Sequence, residues 1–240
     1  MRATADMTTL PFVERQRREP RRGAGSEPAN DWFLALHHAQ VPFHPNDRVL
    51  LLYGHQLVFR LGLYAATERV LAGESVLYLD GANAFDPFVI GRLARAHRRQ
   101  PRAVLSMIHV ARAFTCHQME RLVSDCLDAA LDRYGANIAI LSGLFETFYD
   151  QAVPEQEALR LFGRMMESVN KLSQQGYRLL CLCPPAPILT RTSRRCLEQL
   201  RGRADRVIRV YEELGLVRLE EEGRTSGQTW EVARTALELR

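Results

Sequence analysis

Apolar residues follow two rhythms along this chain, and the rhythm changes at turn-forming residues. Short, nearly unbroken apolar runs at 49–53, 75–79, 104–109, 138–141 and 177–182 read as strands buried on both faces. Between them, apolar positions recur at helical spacing over about 57–72, 86–99, 116–133 and 155–175. In the third of these stretches Met119, Leu122, Val123, Cys126, Leu127 and Ala130 make one stripe. Alternation in units of this length predicts a mostly parallel α/β sheet, flanked by helices, with right-handed crossovers. After a further helix near 193–200, segments 206–211, 216–221 and 229–233 read as strands, and the last two flank a glycine-bearing turn that predicts a C-terminal antiparallel hairpin. Residues 31–39, DWFLALHHA, predict a short helix with Trp32, Phe33 and Leu36 inward, ended by Pro42 and Pro45. Residues 1–30 are rich in Arg, Pro, Gly and Ser, so a disordered tail is expected ahead of one domain over 31–240.

The first strand-to-helix joint carries candidate chemistry. VLLLYGHQLVFRLGLYAA, residues 49–66, is a strand, a glycine and a helix start, where a phosphate-binding loop G-x-x-x-x-G-K-[ST] belongs. Such a loop needs its second glycine for close backbone approach to phosphate, its lysine for the β- and γ-phosphates and its hydroxyl for Mg²⁺. Gly54 keeps the first glycine, but Phe59, Arg60 and Leu61 occupy the last three places. The joint points to a nucleotide-binding fold and lacks the groups of ordinary ATP hydrolysis.

The stretches at the later joints resemble the ATPase core of RecA superfamily recombinases, closest to the RadA type. YLDGANAFDP (78–87) is similar to that family's strand-end segment Y-I-D-T-E-G-x-F-x-P. In HVARAFTCHQMERLV (109–123), Ala111, Arg112, Ala113, Phe114, His117 and Gln118 resemble its A-R-A-[FY] stretch and the following His-Gln. IAILSGLFETFYD (138–150) falls where its Walker B strand lies, and QGYRLLCLCPPA (175–186) where the next strand precedes a DNA-binding loop. Order and spacing persist over 45–211. Each departure touches chemistry. The family's general-base Glu falls on Ala82, although Asp80 is kept; its Walker B Asp falls on Ser142, with Glu146 four residues on; and its γ-phosphate-sensing pair falls on Cys183 and Pro184. The resemblance therefore implies a RecA-like fold with a degenerate nucleotide site at Gly54, Arg60, Asp80 and Glu146, no cofactor and no catalytic residue. A weak, Mg-independent anion contact at Arg60 and a surface Arg60 stay open as alternatives.

Composition and charge narrow the partners. At 240 residues, 46% hydrophobic and 25% charged, the chain can bury one substantial core. No apolar run approaches a membrane span and no signal-peptide pattern opens the chain, so no membrane and a cytoplasmic location are expected. The net charge of +4 divides into +2 over 1–30, zero over 31–187, +5 over 188–209 and −3 over 210–240. The basic excess holds Arg191, Arg194, Arg195, Arg201 and Arg203, where the resemblance places a second DNA-binding loop. Single-stranded DNA on these arginines and a solvated helix face are the two readings. The resemblance implies an accessory factor in recombination, repair or damage tolerance that docks on an active recombinase, a DNA polymerase or itself. A weak DNA-stimulated ATPase and a protein-interaction module remain as rivals. His37, His38 and His44 lack partners at metal-ligand spacing, and Cys181 and Cys183 read as core residues.

Overall fold

A computed structural model describes residues 32–36, 39–148, 153–185, 191–223 and 227–237; the expected tail, His37 and His38 lie outside them. In place of a helix at 31–39 the described residues begin with an antiparallel hairpin of β1 (Trp32–Leu36) and β2 (Ala39–Pro42). Leu34 pairs with Val41 and both are fully buried, so pairing and packing override a short stretch whose apolar spacing suits either state. The alternating units follow. They are β3 (Val49–Tyr53), α1 (Leu57–Leu71), β4 (Val76–Asp80), α2 (Pro87–Ala96), α3 (Pro101–Leu105) and β5 (Ile108–Arg112). Next come α4 (Cys116–Arg121), a π-helical turn (Leu122–Cys126), α5 (Leu127–Tyr134), β6 (Ile138–Ser142), a 3-10 turn (Glu146–Phe148) and α6 (Glu155–Gln174). The chain closes with β7 (Arg178–Cys183), α7 (Arg191–Arg201), β8 (Arg206–Glu213), β9 (Leu216–Glu222), β10 (Thr229–Ala233) and α8 (Arg234–Leu237).

The run at 104–109 is not one strand. Pro101 at the first helical position starts α3, which takes Val104 and Leu105, and the strand begins only at Ile108. The Ser106 hydroxyl donates to the Ala103 carbonyl and closes the short helix.

Strand order in the eight-stranded sheet is β10-β9-β8-β3-β7-β6-β4-β5. From β8 to β5 every pairing is parallel, while β8·β9 and β9·β10 are antiparallel, so the expected hairpin extends a mostly parallel sheet. Period-two alternation sorts the strands into two cores. Leu50, Leu52, Val76, Tyr78, Ile140 and Leu182 face α1 and α2, whereas Val49, Leu51, Leu77, Leu79, Leu141 and Cys181 face α5, α6 and α7. Helix α1 is apolar on most sides because β1 covers it from outside while the sheet lies beneath.

One ionic cluster holds the hairpin end together. Arg206, 2% exposed, donates to the Asp47 carboxylate and the Pro42 carbonyl at 2.8 Å each and to Glu221 at 3.2 Å. Both carboxylates are buried as well, so the start of β8, the end of β9 and the loop after β2 share one desolvated charge set.

Candidate functional site

At the carboxyl ends of the central strands, backbone bonds join the chain from β3 across to β4. Gly54 N donates to Cys183 O at 3.1 Å, Gly143 N to Leu182 O at 3.1 Å and Gly81 N to Ser142 O at 2.8 Å. Gly54 has φ +111°, and a Cβ there would stand 2.9 Å from the Val210 carbonyl oxygen. The close approach this glycine permits is made by β8.

The first turn of α1 is satisfied from within. Leu57 N donates to His55 Nδ1 at 3.2 Å, Val58 N to His55 O at 3.1 Å and Phe59 N to Gln56 O at 3.3 Å. A helix start binds phosphate through just such donors when they are left open. Arg60, at the lysine position, donates from Nε to Leu237 O at 2.8 Å, and the Tyr64 hydroxyl donates to Ala236 O at 3.0 Å, so α8 lies against α1. Phe59 packs on the α1 side of the core and Leu61 is fully buried.

Asp80 is 1% exposed and has structural partners: it accepts from Ala84 N at 2.9 Å and Phe85 N at 3.1 Å, and faces Arg112 Nε at 3.4 Å. Ala82, where the resemblance places the general base, is wedged against Gly143, where a Cβ would meet Ala82 N at 2.5 Å. Ser142 is fully buried at the end of β6. Glu146 opens the 3-10 turn; burial pushes its carboxyl up to about 7, and one of its oxygens has no partner among the described residues. Burial raises the Cys183 thiol well above its usual range, with Cys181 and Glu146 adding to the effect, and pushes Cys181 up to about 12. Neither thiol is set up as a nucleophile. Among the described residues no metal-ligating cluster forms.

The A-R-A-F-T-C-H-Q stretch does capping work. Thr115 accepts from Gln118 N at 3.2 Å, and the Gln118 side chain accepts from Phe114 N at 2.8 Å, starting α4.

The basic segment divides in two. Arg201 donates to the Tyr53 hydroxyl at 3.2 Å, pairs with Glu222 and lies 5.1 Å from the Tyr53 ring centre. Burial and the Glu222 carboxylate together raise the Tyr53 phenol. Arg203 donates to Met166 O at 3.2 Å, and Arg195 faces Glu155 at 3.8 Å with both side chains half exposed. Arg191 and Arg194 are exposed and have no partner among the described residues. An open groove between α6 and α7 is lined by Leu159, Arg195, Glu198 and Gln199. Segment 186–190, ahead of α7, lies outside the described residues.

The engagement of Arg201 with Tyr53 and Glu222, and of Arg60 with Leu237, was not readable from the sequence, which holds no local signal for pairs so far apart. No protein-family model matches this chain, and no curated protein does. Among the described residues no helix is long and apolar enough to cross a membrane.

Proposed function

We propose that this protein is a non-catalytic RecA-like factor of DNA recombination, repair or damage tolerance, working through an active recombinase, a DNA polymerase or further copies of itself. One observation carries the reading. The backbone donors at Leu57, Val58 and Phe59 and the Nε–H of Arg60 all end on atoms of this chain instead of lining an open phosphate cradle. Position supports the family: Gly54, Asp80, Arg112, Ser142 and Cys183 all lie at the carboxyl ends of parallel strands, where open α/β sheets take their ligands. The pathway follows from fold analogy. Single-stranded DNA would meet Arg191, Arg194 and Arg195, the exposed arginines of α7 that are not hydrogen-bonded into the fold.

A second reading, a weak DNA-stimulated ATPase using Arg60, Asp80 and Glu146, is favoured by the half-buried Glu146 carboxyl with its unpartnered oxygen. Calorimetry with Mg-ATP and a turnover assay with single-stranded DNA separate the two. No binding at micromolar nucleotide and no turnover are expected, and turnover that disappears in Arg60→Ala refutes the proposal. Three phosphates neutralised by α7 imply a slope of about −2 in log K against log salt, at roughly −0.7 each. Arg191→Glu with Arg194→Glu should reduce that slope by at least about 1.4 with little change in Tm, since exposed arginines add little to folding. A protein with no DNA affinity at low salt is an interaction module.

A further inference from the structure

The zero net charge of residues 31–187 hides a one-sided stretch: between Pro87 and Met119 the chain holds six arginines and no Asp or Glu. Four of them fall within eight residues, and the fold keeps all four outside. Arg95 lies in the last turn of α2, Arg98 and Arg99 in the turn that follows and Arg102 in α3; every one is exposed and without a carboxylate partner among the described residues. The acids of the neighbouring elements are committed elsewhere. Glu68 on α1 faces His97 at 3.8 Å, Glu74 accepts from Arg69 at 2.8 Å, and Asp86 caps α2 through Phe88 N at 2.8 Å. This contrasts with α7, whose flanking Arg201 and Arg203 are bound into the fold.

Two further observations point to a ligand. Arg98 sits at φ +54°, in the left-handed conformation just past the end of a helix where glycine is the low-energy choice. The chain keeps a guanidinium at a position where backbone energetics favour no side chain. On α2 itself, Phe88, Arg92 and Arg95 are spaced i, i+4, i+7 and share one helix face about 10 Å long. Phe88 is 77% exposed, and the Arg92 Nε is buried without an acceptor. An exposed phenyl ring in line with unpaired guanidiniums is the composition of a single-strand groove, where bases stack on the ring and phosphates meet the arginines. A bilayer needs a wider apolar face than one ring, and an acidic peptide has no base to stack.

We propose that α2 and its turn into α3 form a second surface for single-stranded nucleic acid, with Phe88 stacking on a base and Arg92, Arg95, Arg98, Arg99 and Arg102 meeting phosphates. The surface goes beyond the α7 contact and does not depend on it. The test is fluorescence anisotropy of a labelled oligothymidylate with the full chain over a salt series. Arg98→Gly relieves the left-handed backbone, so it should keep or raise Tm while reducing the salt slope by about 0.7. Neutralising Arg95, Arg98, Arg99 and Arg102 together should reduce the slope by about 3. Phe88→Ala should weaken binding about 5- to 150-fold, the loss of one stacked base. These effects should persist in the Arg191→Glu, Arg194→Glu background. Binding that survives all the α2 and α3 substitutions but vanishes with the α7 pair overturns this inference and leaves the α7 reading standing. Absence of any oligothymidylate binding overturns both. Binding to phosphatidylserine vesicles with none to oligothymidylate marks the surface as a membrane contact and also overturns it.

Discussion

Replacing Arg206 by Met should destabilise this protein more than any surface change, because it strands two buried carboxylates at once. In the intact protein the Arg206 guanidinium answers Asp47 at 2.8 Å, the Pro42 carbonyl at 2.8 Å and Glu221 at 3.2 Å, with its side chain fully excluded from water. Removing one partner of a buried ion pair costs about 3–5 kcal/mol, since the charge left behind keeps its desolvation penalty and loses its attraction. At about 2–4 °C per kcal/mol for a chain of this size, Arg206→Met should lower Tm by about 6–20 °C. The measurement is thermal and urea unfolding followed by circular dichroism. A second variant guards against outright unfolding: Arg206→Met with Glu221→Leu and Asp47→Asn removes the stranded charges while retaining an acceptor for His44 N, which bonds Asp47 at 2.8 Å. It should recover more than half of the loss. A single-variant loss under about 1 kcal/mol, or a triple variant no better than the single one, refutes the reasoning.

Glu146 gives stability a pH signature. Its carboxyl is raised to about 7 by burial, so its contribution is fully present below about 4.5 and is lost as pH rises through about 7, by about 3 kcal/mol at most. Glu146→Gln should flatten the stability profile between pH 5 and 8, which urea unfolding at those pH values would show; an unchanged profile would place the titration elsewhere. Leu214, 96% exposed at the tip of the β8–β9 turn, is held at φ +52°, a conformation that costs a leucine about 1–2 kcal/mol. Leu214→Asn should therefore raise Tm by a few degrees, and no gain would show that the turn carries no such strain.

By itself the sequence determined the period of the apolar pattern and hence most of the sheet. Runs such as Val49–Tyr53 and Ile138–Ser142 are buried on both sides, so they need no partner to be recognised as interior strands. The hairpin of β9 and β10 was legible too, because its turn residues lie within the segment they bend. Short stretches with ambiguous spacing were not. Leu34 is in a strand because Val41 pairs with it, and Val104 is in a helix because Pro101 starts one. The site followed the same division. Local words located Gly54, Asp80, Ser142 and Glu146 near the strand ends, yet only the tertiary structure decided what those side chains do. Arg60 is occupied by Leu237, 177 residues away, and Arg201 by Tyr53, 148 residues away. Backbone preference is local and is written into short windows, whereas a guanidinium takes whichever acceptor folding brings within about 3 Å, and that depends on the packing of the whole chain.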